Sequence, residues 1–151
     1  MPSRARLAQA RAVWHAARML SVGRWALELA AGWQAELEEG CVCVTAPEGH
    51  GALLISHRYR ATHPIERAEL EQLAEAELPG SADVGVCRMG DFEGLHATYI
   101  EDDQRWQRFY LSFGTLLLLV SYTVELAHDG SEDDAVLGML RSLRAHGERW
   151  E

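Results

Sequence analysis

The side chains in this 151-residue chain that could do chemistry are three cysteines, seven histidines and a scatter of carboxylates. Cys41 and Cys43 lie two apart in Cys41-Val42-Cys43-Val44-Thr45, so a strand there puts both thiols on one face. A thiolate metal site would have to combine that pair with Cys87 or a histidine, and the spacing fits no zinc ribbon or finger pattern. Free cysteine otherwise packs as a small apolar residue, and the residues imply no metal and no cofactor. Ser56 and His57 are adjacent in an extended run and face opposite ways, so they cannot act as nucleophile and base, and no Gly-x-Ser-x-Gly elbow exists. His57 and His63 can approach across a loop, and His96 shares a face with Thr98; these read as satisfied core or surface histidines. Glu101-Asp102-Asp103 gathers carboxylates as a divalent-ion site or general-acid pair would, but its place between two strands reads as turn chemistry and solubility. No catalytic residue is assigned. A small hydrolase or metal-dependent enzyme using Cys41, Cys43, Cys87 or the histidines is the alternative, and a small-ligand-binding protein is a third reading.

Lysine is absent and all 14 basic residues are arginines, which removes Schiff-base, phosphate-loop and general-base lysine chemistry. A chain of this length with 48% apolar residues forms one domain and needs neither disulfide nor metal for stability. The net charge of −9 is uneven: residues 1–24 carry five arginines and no acid, and the rest carries nine arginines against 23 acids. That field opposes nucleic acid as a partner. Residues 3–21 have helical periodicity, with Leu7, Ala10, Trp14 and Ala17 near one stripe and Arg4, Arg11 and Arg18 on another. No 18-residue apolar run exists to span a membrane, and the cytoplasm is the default compartment. The basic segment packs on the acidic body of its own or a neighbouring subunit, acts as a targeting or membrane-surface helix, or precedes a true start at Met19. Residues 1–22 are therefore expected as an N-terminal basic amphipathic helix and residues 23–151 as a single domain.

Strand pattern dominates the body. Residues 92–101 alternate, Asp102-Asp103 closes a tight turn, and the next run sends Gln107, Phe109, Leu111 and Phe113 to one face and Trp106, Arg108, Tyr110 and Ser112 to the other. After Gly114, residues 115–124 are apolar on both faces over their first half, which demands cover above and below. Shorter strands are expected over 24–30, 34–39, 41–46, 52–59 and 84–88. A helix begins near Pro64 and stops at Pro79-Gly80, with Leu70, Leu73 and Ala74 as its apolar stripe. Its glutamates read as a solvated acidic face, with a docking surface for a basic partner as the alternative. A final helix is expected with Ser131 as N-cap and Val136, Met139, Leu140 and Leu143 on one face. The class is α+β, an antiparallel sheet flanked by helices in an α/β/α sandwich.

The order of these elements resembles the PsbP-like fold superfamily, which includes Mog proteins, DcrB-like proteins and chaperones of type VI secretion effectors. The resemblance rests on residues 25–33 as opening strand, Leu53-Leu54-Ile55-Ser56, the helix at 64–78, Gly90-Asp91-Phe92-Glu93-Gly94, the 107–124 hairpin and the last helix. It implies a bacterial, non-catalytic protein-binding adaptor or chaperone-like module. The partner is then another protein, a secretion effector in the chaperone branch, and self-association into a homodimer fits the same reading. Trp106, Arg108 and Tyr110 are the candidate partner-binding residues, because exposed aromatics and arginine carry interface energy; their alternative fate is burial under a helix.

Overall fold

Consecutive alternating runs separated by two-residue turns pair with one another, and they build most of this molecule. The computed structural model describes residues 18–146. Its strands are β1 (Met19–Val22), β2 (Trp25–Glu28), β3 (Gln34–Glu38), β4 (Cys41–Thr45), β5 (Ala52–Tyr59), β6 (Asp83–Met89), β7 (Phe92–Glu101), β8 (Gln104–Phe113), β9 (Leu116–Glu125) and β10 (Arg144–Ala145). The helices among the described residues are α1 (Arg67–Glu77), between β5 and β6, and α2 (Asp133–Arg141), between β9 and β10, with a single 3-10 turn at Leu126–His128. Seven strands form one antiparallel sheet in the order β3-β4-β5-β9-β8-β7-β6, and β1-β2-β10 form a second, three-stranded sheet.

The seven-stranded sheet is two meanders joined at β5 and β9. β3, β4 and β5 follow one another directly; α1 then carries the chain to the far edge, and β6 to β9 return strand by strand until β9 pairs with β5. Asp102 and Asp103 both take left-handed backbone (φ 57° and 63°), the geometry that a two-residue turn between twisted strands requires. At Gly94 a Cβ would run into the carbonyl of Tyr110 on β8, so glycine permits the close β7–β8 approach there.

β9 behaves as its composition demands. Leu116, Leu118, Val120, Tyr122 and Val124 enter the main core, while Leu117 and Leu119 pack on the opposite side under α1 with Leu70, Ala74, Leu95 and Tyr110. We call these the core face and the helix face.

The expected α/β/α sandwich is not what covers the core face. That layer is mainly the three-stranded sheet, with Trp25 and Leu27 fully buried, closed by α2 through Val136, Met139 and Leu140. The described residues thus form two antiparallel sheets with two helices, predominantly β. Two local competitions decide the difference. Residues 19–22, expected to end an N-terminal helix, instead turn at Gly23 (φ 58°) and pair with β2, because Leu20 is buried as a strand residue opposite Leu27. The rest of the expected helix, residues 1–17, lies outside the described residues. Second, the last helix stops at Arg141; Leu143 is buried just beyond it, and Arg144 and Ala145 pair with β2.

Ser131 does not cap α2. Its hydroxyl donates to the His128 carbonyl (2.7 Å), and Glu132 occupies the N-cap position. The Glu132 carboxylate accepts from the Tyr122 hydroxyl (2.6 Å) and from the backbone N–H groups of His50 (2.9 Å) and Gly51 (3.2 Å). One side chain therefore ties the start of α2 to β9 and to the β4–β5 loop. Replacing Glu132 by alanine strands the buried Tyr122 hydroxyl and leaves the more exposed His50 and Gly51 amides to water, and we expect a loss of about 1–2 kcal/mol, read as a lower urea midpoint. An unchanged midpoint would show that water replaces these bonds without cost.

Candidate functional site

Strand order decides which reactive residues can meet. Cys41 and Cys43 share the helix face of β4, as their spacing requires, opposite Ser56 and Leu54 of β5. Cys87 sits on β6 at the other edge of the sheet, five strand spacings or about 24 Å away, so the three thiols do not converge. Burial, with Glu38 adding to it, raises the Cys41 thiol above its ordinary value, and burial with Glu38 and Cys41 does the same to Cys43. Cys87 is pushed up by burial to about 11. Thiols raised in this way are poor nucleophiles at neutral pH. Among the described residues, no three His, Cys, Asp or Glu side chains come together as a metal would need.

Four histidines, His50, His57, His96 and His128, have structural partners. His57 points to the core face, away from Ser56, and its Nδ1 accepts from the indole N–H of Trp25 (3.0 Å). His96 lies 2.9 Å from the Gln107 amide oxygen and stacks on Phe109, with ring centroids 4.4 Å apart. His63 takes left-handed backbone (φ 66°) in the segment before α1. His50 and His128 stack at 3.6 Å on the two loops that Glu132 and its neighbours bring together, a pairing that nothing local in the sequence signals. Glu101, Asp102 and Asp103 are exposed at the β7–β8 turn.

The helix face offers more. Trp106, Arg108 and Tyr110 share it, as alternation predicts, but each has an intramolecular partner. Trp106 stacks on Tyr99 across the strand pair (6.0 Å), and Arg108 forms an ion pair with Glu77 at the end of α1 (2.9 Å). Tyr110 is buried beneath α1, and its hydroxyl donates to Glu77 (3.1 Å). Burial raises the Tyr110 hydroxyl far above its usual range, so it remains a donor at every physiological pH. Arg108 and Tyr110 thus clamp α1 to the sheet, while Trp106 and Arg108 also border an open depression of about 290 Å³ floored by Leu119 and rimmed by Cys41, Leu54, Ser56 and Glu77.

A larger groove, about 560 Å³, runs along the other side of α1 between the helix and β6. Ala74, Leu78 and Pro79 form one wall, Leu95 lies within it, and Val84 and Val86 form the other wall, with Glu71 and Glu75 above. β6 pairs only with β7, so its outer edge presents backbone groups without a neighbouring strand. Val84 and Val86 are 51% and 65% exposed on this edge. The sequence marks residues 84–88 as a strand but carries no sign of its edge position, which is a property of strand order alone.

No family model matches the chain, and no curated protein matches it. A solved structure from Bacteroides thetaiotaomicron VPI-5482 is similar, with a TM-score of 0.61 at 16% identity over 84% of this chain. The match takes in 46% of that protein, so this chain spans about half the length of its structural neighbour. The likeness concerns fold alone and does not link the chain to the PsbP-like superfamily. No helix among the described residues is long and apolar enough to cross a membrane, which leaves strand-built membrane structures unaddressed.

The Trp25–His57 bond has a pH consequence. Burial lowers the His57 pKa below the ordinary histidine value near 6.5, and only the neutral ring can accept from Trp25. The stability tied to neutral His57 is complete above pH 6.5 and is lost as pH falls from there through the lowered value, where the unfolded chain binds a proton that the folded one resists. Melting temperature measured from pH 7.5 to 5 should fall less steeply in His57→Gln, whose amide oxygen can accept the same bond without titrating. Identical slopes would remove His57 from the account.

Proposed function

We propose that the chain is a non-catalytic protein-binding module, of the adaptor or chaperone-like kind, which takes an extended segment of its partner along the β6 edge and the α1 groove. The supporting observation is β6 itself. It is a seven-residue edge strand with two exposed valines and no proline, its charged residues Asp83 and Arg88 near its two ends, beside a groove with apolar walls. Natural sheets blunt such edges because they invite pairing; an edge left open and apolar is suited to receiving a strand. An added strand would bond to the β6 backbone and lay alternate side chains between Val84, Val86 and α1. Glu71 and Glu75 rim the groove, so the fitting partner combines apolar side chains with arginine or lysine.

A photo-crosslinking residue at position 86, expressed in the organism of origin, should yield a discrete adduct that Val84→Arg abolishes. Val84→Arg itself should change stability by no more than about 0.5 kcal/mol, because the site is exposed. A control crosslinker at Ile100, also exposed, should give no such adduct. Equal products from positions 86 and 100 would overturn the reading. An adduct of twice the chain mass would replace the adaptor by a homodimer joined edge to edge.

A further inference from the structure

The two turns that bound β7 fix which way the backbone of β6 faces. Between β6 and β7 the loop is Gly90-Asp91, with Met89 opposite Phe92 and Gly90 in left-handed backbone (φ 62°). Between β7 and β8 it is Asp102-Asp103, with Glu101 opposite Gln104. In a two-residue hairpin the residues flanking the turn exchange both backbone hydrogen bonds, and such pairs recur at every second residue. Counted from either turn, the even-numbered residues of β7 bond to β6 and the odd-numbered ones to β8, so the two turns agree. On β6, Gly85 and Cys87 therefore bond inward, and Val84, Val86 and Arg88 direct their N–H and C=O groups to the open edge.

The two faces of this edge differ. Val84 and Val86 line the groove beside α1, whose Glu75 lies toward the start of β6 because the helix enters β6 directly through residues 78–82. Between the valines, on the core-face side, Gly85 is exposed, and a Cβ built there would meet nothing within 4 Å. Its partner on β7 is His96, half-buried, with its ring stacked on Phe109 at 4.4 Å. Glycine inside a strand weakens it and marks a place where another chain can come close. The space over Gly85 opens to the sheet edge and ends on a stack of two rings, which suits a third.

We infer that the guest strand runs antiparallel to β6 and carries an aromatic residue over Gly85, between two apolar residues opposite Val86 and Val84, with arginine or lysine beyond them below Glu75. This inference rests on the strand-addition reading above and adds the direction, register and side-chain pattern of the guest. Every strand pair in the seven-stranded sheet is antiparallel, the stronger arrangement per residue. In that arrangement the guest residues opposite Val84 and Val86 exchange bonds with them and share their face. The residue between them faces Gly85 in a pair without hydrogen bonds, where side chains approach most closely, and its own N–H points to solvent. Parallel addition reverses the roles: the guest residue bonded to β6 would then be the one opposite Gly85.

The probe is the end-blocked, fluorescein-labelled peptide Glu-Thr-Val-Phe-Val-Thr-Arg, titrated with the full-length protein and read by fluorescence anisotropy. N-methylation of either valine removes a donor to β6 and should weaken binding about tenfold, whereas N-methylation of the phenylalanine should change it less than about twofold. Replacing the phenylalanine by alanine should also cost about tenfold on the wild type, but less than about twofold on Gly85→Val, whose side chain fills the space. Gly85 has open space and no left-handed backbone, so this variant should fold as the wild type does. The reverse methylation pattern would mean a parallel guest and would overturn the inference. Equal effects of all three methylations, a phenylalanine preference retained in Gly85→Val, or no binding of the peptide would overturn it as well. Those outcomes leave the crosslink at position 86 standing; loss of that crosslink with peptide binding intact would remove the adaptor reading alone.

Discussion

A strand that is apolar on both faces has to be covered twice, and β9 imposes that condition on the rest of the chain. It is the central strand of seven, with Leu118 and Val120 facing one layer and Leu117 and Leu119 the other. Two meanders close on it because β5 and β8 supply its neighbours, and a helix on one side and a small sheet on the other remove its side chains from water. The two layers are unequal. The three-stranded sheet and α2 seal the core face, whereas the eleven residues of α1 span only part of the opposite face. Both open surfaces, the β6 groove and the Leu54 depression, are consequences of that one short helix.

Most polar side chains that might have formed a reaction centre act as ties between layers. Glu132 joins α2 to β9 and the β4–β5 loop, and Glu77 joins α1 to β8 through Arg108 and Tyr110. The Trp25 indole meets His57 between the two sheets, and Asp91 accepts the Ala145 amide where β10 approaches the β6–β7 turn. Such bonds add modest net stability, but leaving one half unmade in a buried position is costly, so they select one arrangement of the layers over others.

Much of the fold was legible in the chain. The turn at Asp102-Asp103, the division of β8 into a Phe109 face and a Tyr110 face, the double burial of β9 and the helix after Pro64 all follow from local periodicity and turn chemistry. These properties depend on neighbours a few residues away. The shared face of Trp106, Arg108 and Tyr110 was legible for the same reason; their attachment to Glu77 and Tyr99 was not, because those partners arrive from other elements.

The sequence by itself determined a strand-rich, acidic body, no lysine chemistry and a central strand needing two covers. Tertiary structure alone decided that the second cover is a sheet, since residues 19–22 and 144–145 are too short to declare a conformation and become strands only by pairing with β2 from opposite ends of the chain. It likewise decided that β6 is an edge and that Cys87 stands far from Cys41 and Cys43, because the order of strands in a sheet is set by which distant segments pair and leaves no mark on any one segment's pattern.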